Sequence, residues 1–184
     1  MRTAALSLRD RFADPEPLAL HREGDVVIAI VASAWGSWSG LDGEALTVDA
    51  AMSTLVREAR GPTPLDPEAL RRAFVAASER LDQHPVVDND ALDFPPVASL
   101  ITVVATPSAI LVGWMGSVVA CIVDQASVVR STPSHTLRRQ LLEEQDVSPD
   151  LVDATLPAAR HIMVRTVQPL REARPEPELA QWPP

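Results

Sequence analysis

The chain has 184 residues, 46% of them apolar, and a formal net charge of −9. That length fits one domain with a closed core, and the apolar share excludes an acidic disordered segment. The negative charge, uninterrupted by any basic block, excludes a nucleic-acid binder, because neutralising phosphates provides most of the non-specific affinity there.

Residues 1–14 carry Arg2, Arg9, Asp10 and Arg11 and no apolar leader core, so no signal peptide is read and a cytoplasmic location is expected. All sixteen basic residues are arginine, and lysine and tyrosine are absent, a usage that points to a GC-rich bacterial genome. Val26 to Ala32 is a β-branched apolar run, expected as a buried strand. A small-residue turn, Ser33 to Gly43, follows. Glu44 to Ala59 is expected as a helix, with Val48, Met52, Leu55, Val56 and Ala59 on one face and Gly61 placed to stop it. Asp66 caps a second helix that starts with Pro67 and carries Leu70, Phe74, Ala77 and Leu81 on its apolar face. An acidic, proline-bearing loop spans His84 to Pro96.

Val97 to Val123 contains no charged residue and is long enough to cross a bilayer. Thr106-Pro107-Ser108 breaks it, and its flanks are β-branched, so two buried antiparallel strands joined by a tight turn are expected, with no membrane contact. The lone Cys121 excludes an internal disulfide and a cysteine metal site; within this run it reads as a buried thiol. A third strand is expected over Ser127 to Arg130. Ser134 is the expected cap of a helix carrying Leu137, Leu141 and Leu142, Ser148-Pro149 starts another, and His161 to Val167 is a last strand. Arg171 to Pro184 is rich in Pro and Glu and is expected to be unfolded. The reading is therefore a folded unit over 1–168 and a disordered tail over 169–184. Two amphipathic helices in a row between strands imply an α+β domain with an antiparallel sheet.

Several segments, in order, resemble the PP2C-type (PPM) metal-dependent serine/threonine protein phosphatases. Val31-Ala32-Ser33-Ala34-Trp35-Gly36-Ser37-Trp38 stands in the place of that family's Val-Ala-Asp-Gly-Met-Gly-Gly-His turn. Gly43-Glu44-Ala45 is similar to its helix start, and Val97-Ala98-Ser99-Leu100 to its Gly-Thr-Thr-Leu strand. Met115-Gly116-Ser117-Val118 resembles the Gly-Asp-Ser-Arg turn without its polar residues. Ser131 to Leu137 and His161 to Val167 follow the later motifs. The resemblance covers roughly residues 8 to 168. It implies an α+β PP2C-like antiparallel β-sandwich flanked by helices and lacking the C-terminal strands.

The resemblance also implies a two-metal hydrolase, and the departures from it bear on that chemistry. Hard divalent ions need several anionic oxygens. The residue matching the bridging aspartate is Ser33, the next is Ala34, and Trp38 replaces the closing histidine. No Asp-Gly or Asp-Asn pair occurs after residue 168, where the family's remaining carboxylates are expected; Asp42-Gly43 and Asp88-Asn89 read as ordinary turn chemistry. Aligned on the early Arg-x-x-Asn-Glu-Asp motif, Arg9 matches the phosphate-binding arginine and Asp14 the carboxylate. The expectation is a catalytically inactive pseudophosphatase with no catalytic residue, metal or other cofactor. The alternative is a divergent phosphatase with a rearranged metal site from Asp14, Asp42 and the Asp88 to Asp93 loop. Other chemistries lack support: His21, His84, His135 and His161 have no metal-ligand spacing, and Gly36-Ser37-Trp38-Ser39-Gly40 has Trp where a nucleophile elbow needs Ser.

Trp35, Trp38 and Trp114 fall in segments that match the rim of the family's site. They are expected either as contacts for a protein partner, since indoles are enriched at binding hot spots, or as filling for a repacked core. Strands left without neighbours lead to the further expectation that a protein partner or a homo-oligomer covers the open sheet.

Overall fold

The computed structural model describes residues 18–35, 43–83, 97–145, 147–170 and 174–184. Five strands build the main sheet: β1 (Leu18–Glu23), β2 (Val26–Trp35), β3 (Val97–Ala105), β4 (Ile110–Met115) and β7 (Glu178–Trp182), in the order β1-β2-β3-β4-β7, with every ladder antiparallel. A second, two-stranded sheet pairs β5 (Cys121–Asp124) with β6 (Ser127–Ser131). The helices are α1 (Gly43–Ala59), α2 (Pro67–Asp82), α3 (Leu137–Glu144) and α4 (Pro149–Thr155).

Side-chain alternation along the strands assigns the two faces of the main sheet. Ile28, Ile30 and Ala32 of β2 line up with Val104, Thr102 and Leu100 of β3, and those with Leu111, Gly113 and Met115 of β4. This face buries α1 and α2 through Val48, Ala51 and Leu55 and through Leu70, Phe74, Ala77 and Leu81. At about 1.5–3 kcal/mol for each large apolar side chain removed from water, this layer is the main source of stability. Gly113 allows the close approach: a Cβ there would stand 3.2 Å from Leu70 Cδ2 and 3.1 Å from Thr102 Oγ1. The opposite face carries a smaller cluster of Ile101, Val112, Trp114 and Trp182, with Val118, Ala120 and Ile122 packed against it.

Both long helices fall where their periodicity places them. Asp66 Oδ1 accepts the Ala69 N–H at 2.8 Å and Pro67 opens α2. The uncharged run resolves into β3, β4 and the start of β5, with β3 and β4 joined by a turn in which Thr106 N–H donates to the Ala109 carbonyl at 2.9 Å. Among the described residues no helix is long and apolar enough to cross a membrane.

Other expectations need correction. β2 continues through Ser33 to Trp35, because Ser33 to Trp35 pair with Ser99 to Val97 where a turn was expected. The cap of α3 is Thr136, not Ser134: Thr136 Oγ1 accepts the Arg139 N–H at 3.4 Å. His161 to Val167 forms no strand. A 3-10 turn, Pro157–Arg160, precedes it, and only isolated bridges tie Met163 to Thr136 and Val167 to Ala98. The Pro/Glu-rich tail, expected to be unfolded, contributes β7, because Leu179 reaches the helix-covered face and Trp182 is buried against the other. Cys121 is exposed rather than buried, since it alternates outward on β5.

Candidate functional site

Ser33 stands near the end of β2, opposite Ser99 of β3, one residue from Ala34 and two from Trp35. Beside β3, Gly116 follows β4 with φ of +94°, a left-handed conformation that favours glycine. The chain then turns sharply enough that Ser117 N–H donates to Ser99 Oγ at 3.0 Å, and the Ser117 hydroxyl lies 3.2 Å from the same oxygen. The neutral hydroxyls of Ser99 and Ser117 thus satisfy one another and the backbone.

On the other side of Gly116 sits His135, buried in the loop before α3. Its backbone N–H donates to the Gly116 carbonyl at 2.8 Å, and its Nδ1 accepts the Gly116 N–H at 3.1 Å. Accepting at Nδ1 assigns the ring proton to Nε2. Nε2 faces Glu178 Oε1 of β7 at 3.1 Å, in an ion-pair approach without the alignment of a good hydrogen bond. The same carboxylate meets Arg139 at 3.2 Å and Arg165 at 3.5 Å. Burial holds the His135 imidazole below its usual value, with Glu178 pulling the other way. Burial pushes the Glu178 carboxyl up, but Arg139 and His135 outweigh it and hold the group below its usual range. A cavity of about 100 Å3 adjoins this cluster, lined in part by Arg139, Gln140, Glu143 and Arg165.

The His135–Glu178 pair has the composition of a base and its orienting carboxylate, but its geometry does not serve a nucleophile. Nδ1 accepts a peptide N–H and Nε2 carries the ring proton and faces the carboxylate, so neither nitrogen is free to take a proton from Ser99 or Ser117. A two-metal centre does not fit the described donors either. Ser33, Ser99 and Ser117 are neutral, and no three His, Cys, Asp or Glu side chains gather within metal-binding reach among the described residues.

Of the residues singled out from the sequence, Arg9, Asp14, Trp38, Asp42 and the Asp88 to Asp93 loop lie outside the described residues, and for Ala34 and Trp35 only the backbone is described. Trp114 is 5% exposed: its indole packs with Ile101, Val112 and Trp182, stacks beside the His135 ring at 6.2 Å, and donates to the Pro133 carbonyl at 2.8 Å. It is a core residue, not an open contact surface. The His135–Glu178–Arg139–Arg165 cluster was missed, because its carboxylate comes from the tail, 43 positions beyond the histidine (178 − 135).

The fold recurs in solved structures. The chain superposes on the Mycobacterium tuberculosis serine/threonine phosphatase PstP with a TM-score of 0.69 at 14% identity, covering 98% of this chain and 72% of that one. The fold is that of the PP2C-type phosphatases. A Staphylococcus aureus serine/threonine phosphatase gives a TM-score of 0.69 at 12% identity, over 97% of this chain and 69% of that one. A stage II sporulation E family protein from Thermanaerovibrio acidaminovorans gives 0.63 at 15%, over 91% and 74%. No protein-family model matches the sequence, and no curated protein matches it significantly. The likeness is one of fold, at identities where residues have to be compared one at a time.

Proposed function

We propose that this chain is a PP2C-fold domain that binds another protein rather than hydrolysing phosphoesters, serving as a scaffold or regulatory subunit in the bacterial cytoplasm. The observation that carries this reading is Ser33. It stands near the end of β2, a strand paired on both sides, where the resemblance puts the carboxylate shared by two metal ions. A neutral hydroxyl cannot balance two dications held a few ångströms apart. The neighbouring polar groups support the same reading, since Ser99 and Ser117 are satisfied by each other and by the backbone.

The test is manganese-dependent release of phosphate from a phosphothreonine peptide, with manganese binding followed in parallel by calorimetry. No release above buffer is expected, and no change on Asp14→Ala. Turnover that requires manganese and disappears in the Asp14→Ala variant would establish the divergent phosphatase instead.

A further inference from the structure

The segment from Val118 to Val123, which runs into β5, is apolar on both faces. Val118, Ala120 and Ile122 turn inward against the Trp114–Trp182 cluster. The alternate residues Val119 and Val123 are 50% and 56% exposed, and Cys121 between them is exposed as well. Val128, the cross-strand partner of Val123, is 61% exposed, and Val129, at the register shift, is 55% exposed. A strand apolar on both sides is the pattern of one covered on both sides. A two-stranded ribbon is marginal by itself, and among the described residues neither of its outer edges is paired.

Charge narrows what can cover it. The chain carries −9 overall, yet residues 116–136 contain one acid, Asp124, and one base, Arg130, and so are neutral together. Two copies brought together here avoid the like-charge repulsion that most other approaches would meet.

We propose that the outer face of the β5–β6 ribbon is a self-association surface on which the ribbon of a second copy packs. This names the surface and the partner for the protein contact proposed above. A stable dimer usually buries about 800 Å2 per partner, and this patch of a few valines is smaller, so the association is weak and concentration-dependent.

The experiment measures solution mass by sedimentation from micromolar to near-millimolar concentration, alongside cross-linking of the reduced protein with a short bismaleimide. The expected result is a mass rising toward the dimer and a covalent dimer through Cys121, lost in Cys121→Ser. Val123→Glu and Val128→Glu should each weaken association about tenfold or more, since burying one valine is worth a factor of that order. Val128→Thr, which keeps the β-branch, gives the same reading if a glutamate variant fails to fold. A monomer at every concentration, a dimer indifferent to these substitutions, or a dimer that does not cross-link at Cys121 each overturns the proposal. The outcomes separate from the turnover assay: a non-hydrolysing monomer defeats this surface alone, and a hydrolysing dimer defeats only the non-catalytic reading.

Discussion

Replacing Gly116 by alanine tests the geometry that holds the strand end together. A non-glycine residue at φ of +94° is strained by about 1–2 kcal/mol. Space adds a second penalty: an ideal Cβ at 116 would stand 2.1 Å from Ser99 Oγ, 2.5 Å from its Cβ and 2.7 Å from its Cα. The hydroxyl can rotate away, but the Cα belongs to β3, which is paired on both sides, with β2 and with β4. The strands must shift, and overpacking of this kind costs about 1–3 kcal/mol. The sum is about 2–5 kcal/mol, a large part of the roughly 5–15 kcal/mol that stabilises an ordinary domain. Urea unfolding followed by tryptophan fluorescence should show a lower midpoint at unchanged slope. In a Ser99→Ala background the penalty should largely persist, because Cβ and Cα remain in the way. A Gly116→Ala change within about 0.5 kcal/mol of wild type, or a penalty that vanishes with Ser99→Ala, would refute the account.

Two further outcomes follow from the C-terminal strand. Trp182→Ala removes a buried indole between Ile101, Val112 and Trp114 and should destabilise by about 3–5 kcal/mol; thermal unfolding unchanged from wild type would place β7 off the sheet. The His135 imidazole, faced by Glu178, Arg139 and Arg165, has its affinity for protons lowered by folding. The unfolded chain therefore binds more protons below the usual histidine value of 6.5, and stability is complete above that pH and declines as pH falls below it, by at most about 1.4 kcal/mol per pH unit for one group. Glu178, also lowered, adds a decline of the same sign below 4.5. Unfolding midpoints measured across this range should depend less on pH in His135→Gln, and an equal dependence in both proteins would remove the histidine from the explanation.

What could be read in the sequence was set by how local the signal was. The helices announce themselves through period and caps, as Asp66-Pro67 does for α2, and the uncharged run announces β3 and β4 through its breaker. β5 was missed because its hairpin turn uses Gln125 and Ala126 at φ of +46° and +71°, where glycine or asparagine is the usual signal. β7 was missed because composition argues from averages. Among prolines and glutamates, Leu179 and Trp182 are enough to pin five residues once β4 presents an open edge. The ordered motifs carried the fold, whereas the Glu178 cluster depends on a long-range pairing that no local pattern encodes.

The strand end is informative because its two kinds of polar group behave differently. In a site built to hold cations, oxygens converge without partners of their own, and the arrangement is costly until the ions arrive. Here the Ser99 hydroxyl already takes the Ser117 N–H and lies beside the Ser117 hydroxyl, while the nearby carboxylate, Glu178, is neutralised by Arg139 and Arg165 and set against His135. Among the described residues, the Glu178 charge is balanced within the protein, between α3, β7 and the segment joining them. Glu178 is also the residue that starts β7 opposite Trp114. The β4–β7 ladder therefore carries this carboxylate to His135 and its arginines, while Leu179 and Trp182 pin the strand itself against the two faces of the sheet.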